Sequence, residues 1–406
     1  MRKMFVLLVV VLIGVTLGYQ KAQAADPIYV GFNEIRSGPF KAPGDRFLTG
    51  LEVAIKEING TGGLLGRPVE LVVEDNQMKP EIAVQKLKKM ILSDKCEAIF
   101  QGASSTVALA LAQAMPRYKK IFICTGSFAM DLTGQNFNPY SFRTNASVAI
   151  LAKAMALYIG KRKEFKKVYM INQDYSYGHD AANFYERFVK EIAPDTQIVG
   201  KDFHPIFNKD FAPYISKVKA SGADYLLTGN WGTDEIQLLI QARSLGLKIP
   251  VAGLLQGDIT VLAAMPGDEA VGNFGVVSFF LGYDTPEARK FEDWFYEKSG
   301  GSWPVEQTWL SYKGMVLYAE AVKKAGSLDI DKVIKAFEGL KWNGPAGTVT
   351  MRAKDHQVLQ PMMVGQVVKK TKYYDFPYMK PIQVIPPEQL EYKPEEFGWK
   401  PYKEEK

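Results

Sequence analysis

From Ile28 onward, short apolar runs alternate with stretches of helical periodicity. Ile28 to Phe32 reads as a strand. Between Asp45 and Asn59, apolar Phe47, Leu48, Leu51, Ala54, Ile55 and Ile58 recur at three- and four-residue intervals, the stripe of an amphipathic helix. Val69 to Glu74 reads as a strand again, and a helix after Pro80 turns Ala83, Leu87, Met90 and Ile91 inward. Strand Cys96 to Gln101, helix Thr106 to Met115 and strand Ile121 to Thr125 extend the series. Such alternation predicts a parallel sheet with helices on both faces, because parallel neighbours need a crossover that packs back on the sheet.

The pattern restarts after Asn138-Pro139-Tyr140-Ser141-Phe142-Arg143-Thr144. Helix Ala146 to Ile159, strand Lys167 to Asn172, helix Gly178 to Ile192, strand Thr196 to Phe203 and helix Phe211 to Ala220 open a second α/β unit. Strand Tyr225 to Gly229, helix Asp234 to Leu245 and strand Ile249 to Ala252 continue it. From Phe274 come one more strand and helices around Pro286 to Lys298, Ser311 to Ala325 and Ile330 to Leu340. Gly347 to Met351 and Pro361 to Val368 read as a hairpin-like appendix. Residues 376–406, rich in Pro, Tyr, Lys and Glu, read as an irregular surface strap or a partly disordered end.

Composition changes this picture mainly at the amino terminus. The chain has 406 residues, 47% of them apolar, enough for two or three packed domains and too apolar for a disordered protein. Residues 1–24 carry a basic start (Arg2, Lys3), an apolar run from Met4 to Leu17 and Ala22-Gln23-Ala24, the pattern of a cleaved signal peptide. The run falls short of the ~20 residues that span a bilayer, which argues against a membrane anchor. Removing the segment takes away Arg2, Lys3 and Lys21 and no acid, which halves the net charge from +6 to +3. No basic block interleaved with aromatics marks a nucleic-acid groove. The only cysteines, Cys96 and Cys124, sit at opposite ends of consecutive predicted strands. At ~3.3 Å per residue they lie beyond the ~7 Å Cα limit for a disulfide, so two free, buried thiols are expected.

Hydrolase and nucleotide signatures are missing: there is no G-x-S-x-G, no P-loop, no H-E-x-x-H and no G-x-G-x-x-G after a strand. His179, His204 and His356 are scattered without metal-type spacing. Binding features are present instead. Gln101-Gly102-Ala103-Ser104-Ser105-Thr106 ends one strand and opens a helix, where small residues, backbone N–H groups and hydroxyls suit a carboxylate; ordinary helix capping explains the same residues. Cys124-Thr125-Gly126-Ser127-Phe128 ends the next strand. In the second unit, Asp174-Tyr175-Ser176-Tyr177-Gly178 and Gly229-Asn230-Trp231-Gly232 put aromatics in loops outside a sheet, either packed beneath those loops or closing over a cleft.

The order of these motifs resembles the leucine/isoleucine/valine-binding family of periplasmic ABC-importer receptors. The likeness is carried by Ser37-Gly38-Pro39, Gly44-Asp45, the string from Glu57 to Leu71 that contains Asn59-Gly60-Thr61-Gly62-Gly63-Leu64-Leu65-Gly66-Arg67-Pro68, and Glu74-Asp75-Asn76-Gln77. Gly102 to Thr106, Asn138 to Thr144, Tyr177-Gly178, Asp210-Phe211 and Gln241 to Leu247 add to it. The resemblance implies a type I periplasmic-binding fold, two doubly wound α/β lobes joined by three hinge crossovers. One lobe would hold residues 26–143 and 279–343, the other 144–278 and 344–390, with 391–406 as a tail. It further implies a monomeric periplasmic receptor, not an enzyme and without cofactor or metal. Its partners would be a small ligand, of branched-chain amino acid type, and a membrane permease.

By position, the resemblance assigns Ser104, Ser105 and Thr106 to the ligand carboxylate, with Gly126, Ser127 and Phe128 beside them and Tyr177 and Trp231 covering the ligand. Gln256 and Leu255 occupy the neighbourhood of the acid that pairs with a ligand ammonium, and Asp258 serves only if the register shifts. Phe128 replaces a usual threonine, and Pro43 stands near an often aromatic position. A buried ammonium without an acid costs several kcal/mol. These departures therefore leave open an aromatic or other non-amino carboxylate or an amide, held by Arg36 and Ser104, with Arg36 on a solvated rim as the alternative. A sensory or regulatory binding protein on the same fold is the rival class.

Overall fold

The computed structural model describes residues 26–38 and 40–403; the expected signal peptide, residues 1–24, lies outside them. The first unit runs β1 (Ile28–Glu34), α1 (Lys41–Gly60), β2 (Val69–Asp75), α2 (Pro80–Leu92), β3 (Ala98–Gln101), α3 (Ser105–Ala114), β4 (Ile121–Cys124) and β5 (Ser141–Arg143). The second begins with α4 (Val148–Ile159), β6 (Lys167–Gln173), α5 (Ser176–Ile192), β7 (Gln197–His204) and α6 (Ala212–Ser221). It continues through β8 (Tyr225–Thr228), α7 (Gly232–Ser244), β9 (Val251–Gly253), α8 (Ile259–Ala263) and β10 (Phe274–Val277).

β1 to β5 form a parallel sheet in the order β2-β1-β3-β4-β5. The second unit repeats that order as β7-β6-β8-β9-β10, again parallel. The apolar runs read from the sequence are the buried strands, and the periodic stretches are the helices over their faces.

After β10 the chain returns to the first unit as α9 (Pro286–Lys298), α10 (Glu306–Ala325) and α11 (Ile330–Phe337). α10 lies directly on α1: a Cβ on Gly50 would stand 2.0 Å from the Thr308 carbonyl oxygen, and Ser311 Oγ donates to the Phe47 carbonyl at 2.6 Å. Then come β11 (Lys341–Gly344), β12 (Gly347–Met351), β13 (Val358–Leu359), β14 (Met362–Val368), β15 (Tyr378–Ile385) and α12 (Pro387–Leu390).

Two expectations are corrected here. β12 does not pair with β14: it pairs with β11 and β13, whereas β14 runs antiparallel to β10 and β15 in the second sheet. The expected boundary between residues 343 and 344 thus cuts the β11–β12 hairpin, and the chain rejoins the second sheet only at Met362. The stretch from 376 is likewise not irregular throughout. β15 is an edge strand with a bulge at Ile382, hidden from sequence reading because Pro381 sits inside it, a residue that strands accept only at edges or irregularities.

Beyond α12 the tail does form a strap. Phe397 packs on Phe184 and Phe188 of α5, with centroids 5.2 and 6.0 Å away. Trp399 packs on Phe137 of the first unit at 6.0 Å, and the Tyr392 carbonyl accepts from Arg352 Nη1 at 2.9 Å. The strap therefore touches both units. Cys96 and Cys124 are free and buried, as expected; β3 pairs Cys124 with Gln101, five residues beyond Cys96.

Candidate functional site

A cleft of about 470 Å³ opens between the carboxyl ends of the strands of both sheets, where open α/β sheets bind ligands. From the first unit it is lined by Phe40 and Phe47, the Gln77–Lys79 loop after β2, residues 103–106 after β3, and Gly126 and Phe128 after β4. From the second it takes Gln173 at the end of β6 with Tyr175 and Tyr177 beyond it, Ile206 and Phe207 after β7, Trp231, Thr233 and Asp234 after β8, and Leu255 and Asp258 after β9. Glu306, Gln307 and Leu310 at the start of α10 also line it.

Seven sequence-expected residues line the cleft together: Ser104, Ser105, Thr106, Gly126, Phe128, Tyr177 and Trp231. Arg36, Ser127 and Gln256 do not. The Arg36 guanidinium is held 2.6 Å from Asp45 on α1, and its backbone N–H donates to Asp75. Ser127 is buried behind the loop and donates to Ser105 Oγ at 3.1 Å. Gln256 is fully buried between Gly253 and Gly275, its amide without a partner, while Asp258, two residues on, reaches the lining. Asp258 also caps α8 by accepting from Thr260 N at 2.8 Å.

The Gly102–Ala103 loop is built differently from the sequence expectation. Its backbone N–H groups are not free for a ligand: Glu34 Oε2, at the end of β1, accepts from Gly102 N at 2.6 Å and Ala103 N at 2.9 Å, and Oε1 accepts from Ile35 N. Burial pushes the Glu34 carboxyl above its usual range, opposed by those three hydrogen bonds. With its side-chain amide turned so that the oxygen faces the loop, Gln101 accepts from Ser104 N at 2.9 Å. What the loop offers the cleft is hydroxyls. Ser104 Oγ caps α3 by accepting from Val107 N, Thr106 Oγ1 lies 3.1 Å from it, and Ser105 Oγ, accepting from Ser127, keeps its own proton to donate.

Aromatic rings from both units line the rest of the cleft. Phe128 and Tyr177 stand 6.3 Å apart by centroids, and Tyr175 and Tyr177 6.0 Å. Trp231 Nε1 donates to the Tyr175 hydroxyl at 2.8 Å, which fixes both rings. Phe40 closes the mouth against Trp231 and Phe207.

Reading the sequence missed Phe40, Tyr175, Gln173, Asp234 and Glu306. Tyr175 lies in a string already singled out, one residue before α5; the other four carry no local signal, because only the tertiary fold gathers them. Glu306 accepts from Ser278 N at 3.1 Å and Phe279 N at 3.2 Å, where the chain leaves β10. Desolvation raises its pKa and lowers that of buried Lys313, one side of a pair whose charges oppose the shift. Lys313 Nζ donates to Gln360, just before β14, so α10 grips two of the three passages between the units. Among the described residues no group of three or more His, Cys, Asp or Glu side chains could hold a metal ion, and no helix is long and apolar enough to cross a membrane.

A family model described as a periplasmic binding protein matches residues 27–372. The Leu/Ile/Val-binding protein homolog 4 of Brucella melitensis biotype 1 is 30% identical over 370 residues, 86% of each chain. The crystal structure of a leucine-, isoleucine-, valine-, threonine- and alanine-binding protein from Brucella ovis, in a closed conformation, superposes with a TM-score of 0.82 at 26% identity, covering 91% of this chain and 97% of that one. A solute binding protein of an ABC transporter from Rhodopseudomonas palustris BisB5, in complex with 3,4-dihydroxy benzoic acid, shares the fold at a TM-score of 0.79 and 23% identity, over 89% and 98% of the two chains.

Proposed function

The chain belongs to the periplasmic binding protein family, and from that membership we propose that it is the exported, periplasmic solute receptor of an ABC importer. It binds a small ligand without turning it over. One lobe is built on the first sheet with α9 to α11 and β11 to β13; the other is built on the second sheet. Hinge motion at the three passages closes them on the ligand, and the closed form is what a membrane permease receives.

The observation that carries this reading is the cleft itself. It lies between the strand ends of two separate sheets, with hydroxyls on the first unit's wall, aromatic rings from both units, and cross-cleft contact at Phe40 and Trp231. Ser104, Ser105 and Thr106 hold the ligand carboxylate through their hydroxyls, and Phe128, Tyr177 and Trp231 enclose its apolar body.

The leading ligand class is the branched-chain amino acid, in line with the relatives named for leucine, isoleucine and valine. A second reading, an aromatic carboxylate, is favoured by one feature: Phe40, Phe47, Phe128, Tyr175, Tyr177, Phe207 and Trp231 all line the cleft. It also accords with the dihydroxybenzoate bound by the Rhodopseudomonas protein.

A thermal-shift screen decides between the two. A ligand at 100 times its Kd stabilises the folded chain by about 2.7 kcal/mol. A shift with leucine, isoleucine or valine and none with benzoates supports the first reading, the reverse supports the second, and silence from the whole panel removes the receptor reading.

A further inference from the structure

Unpartnered polar atoms are rare in a protein interior, and each one needs a reason. Gln173, the last residue of β6, and Asp234, in the first turn of α7, both line the cleft and are 3% and 1% exposed. They hold each other: Gln173 Nε2 donates to Asp234 Oδ2 at 2.6 Å, and the same oxygen accepts from Phe207 N at 3.0 Å. Each is left with one oxygen that has no partner, Gln173 Oε1 and Asp234 Oδ1. Gln307 Oε1, at the start of α10, is a third such atom on the lining. An amide carbonyl oxygen and a carboxylate oxygen accept hydrogen bonds, so each of these atoms calls for a donor; the cleft's own hydroxyl donors include Tyr177, likewise buried on the lining without a partner, and Ser105.

Three nitrogen donors near the cleft are committed elsewhere. Trp231 Nε1 is bound to the Tyr175 hydroxyl, the Arg36 guanidinium to Asp45, and Arg46 Nη1 to Thr260. The residue after Asp234 is Glu235, whose own two oxygens are likewise buried without a partner.

We propose that Gln173 and Asp234 form an acceptor subsite that reads an N–H or O–H group of the ligand, so that the protein selects apolar carboxylates that also carry a hydrogen-bond donor. This rests on the solute-receptor reading and narrows it. A donor reaching these oxygens removes the penalty of a buried unpaired acceptor, including a charged one, which sets the preference at about 10- to 100-fold in Kd.

Matched probes test it by calorimetric titration of the purified protein: leucine against 4-methylpentanoate, and 4-hydroxyphenylacetate against phenylacetate. In at least one pair the donor-bearing member binds about 10- to 100-fold tighter, and Gln173→Leu and Asp234→Asn each shrink that ratio several-fold. Asp234→Asn also loosens the bond to Phe207 N. Gln173→Leu, which leaves that bond in place, is therefore the deciding variant if Asp234→Asn does not fold. Equal binding within both pairs, a preference for the donor-free members, or a ratio unchanged in Gln173→Leu overturns the subsite while leaving the receptor reading intact. No binding by any of the four probes overturns the subsite, and the receptor reading then falls or stands on the wider thermal-shift panel.

Discussion

Phe40 and Trp231 meet across the cleft with ring centroids 5.0 Å apart, Phe40 just before α1 and Trp231 as the N-cap of α7. Phe207 adds a second contact at 5.8 Å, although it is more than half exposed. Gly232 makes the approach possible: it adopts φ +60°, and a Cβ there would lie 3.1 Å from the Phe40 ring. These rings join the two units directly.

The clasp should govern ligand release more than fold stability. An aromatic pair contributes about 0.5–1.5 kcal/mol beyond its buried area. Phe40→Ala is therefore expected to speed ligand dissociation about two- to tenfold while leaving the ligand-free melting temperature nearly unchanged, as stopped-flow tryptophan fluorescence and calorimetry would measure. An unaltered off-rate would show that the contact does not restrain opening.

Glu235 makes stability depend on pH. Burial, reinforced by the Asp234 charge, pushes its carboxyl from 4.5 up to about 8, and neither oxygen has a partner. Below about pH 4.5 the group is protonated in both folded and unfolded chains. Between about pH 4.5 and 8 only the unfolded chain releases the proton, so this residue's contribution to stability falls as pH rises and levels off above. Glu235→Gln should flatten that slope, giving a melting temperature above the parent's at pH 8 and close to it at pH 5. Parallel curves for the two proteins across that range would refute the assignment.

The strap is part of the packed interior at one point. Phe397 is 9% exposed, set against Phe184 and Phe188, with the Arg187 guanidinium 4.5 Å from its ring centroid. Phe397→Ala should cost roughly 2–4 kcal/mol in urea denaturation, near the lower end for burying a phenylalanine because the residue lies on a surface strap. A loss below about 0.5 kcal/mol, the range of ordinary surface substitutions, would mean that the strap merely rests on the protein.

Cys96 and Cys124 should be silent toward thiol reagents in the folded protein. Burial pushes their pKa values up to about 12 and about 11, so the reactive thiolate is scarce as well as covered. A chromogenic disulfide should label neither thiol in native buffer and both in guanidinium; labelling of either under native conditions would contradict the placement.

The alternation of apolar runs and helical stripes made both parallel sheets legible, because the inner strands are buried on two faces and most helices on one. The loops after β3 and β4 were legible too, since Ser104, Thr106 and Phe128 sit where strand ends must lie. What escaped depends on distant partners. Glu34 looks like any polar residue ending a strand, and only the neighbouring loop shows that its carboxylate fills the N–H groups expected to serve a ligand. β15 looked like tail because Pro381 interrupts it, and Asp234 like a helix-start acid because Gln173 lies 61 residues away. Arg36 was drawn to the cleft by sequence adjacency, whereas its charge is spent on Asp45.

β14 supplies the partner of β10 only after the whole excursion through α9 to β13 has been made. During synthesis the first sheet has all five strands once Arg143 has emerged, but the edge of β10 stays open until the final stretch of chain arrives. A message cut short before Met362 would thus yield a product with one finished sheet and one adhesive edge, and a strand made late is the one that guards the chain against sticking to its own copies.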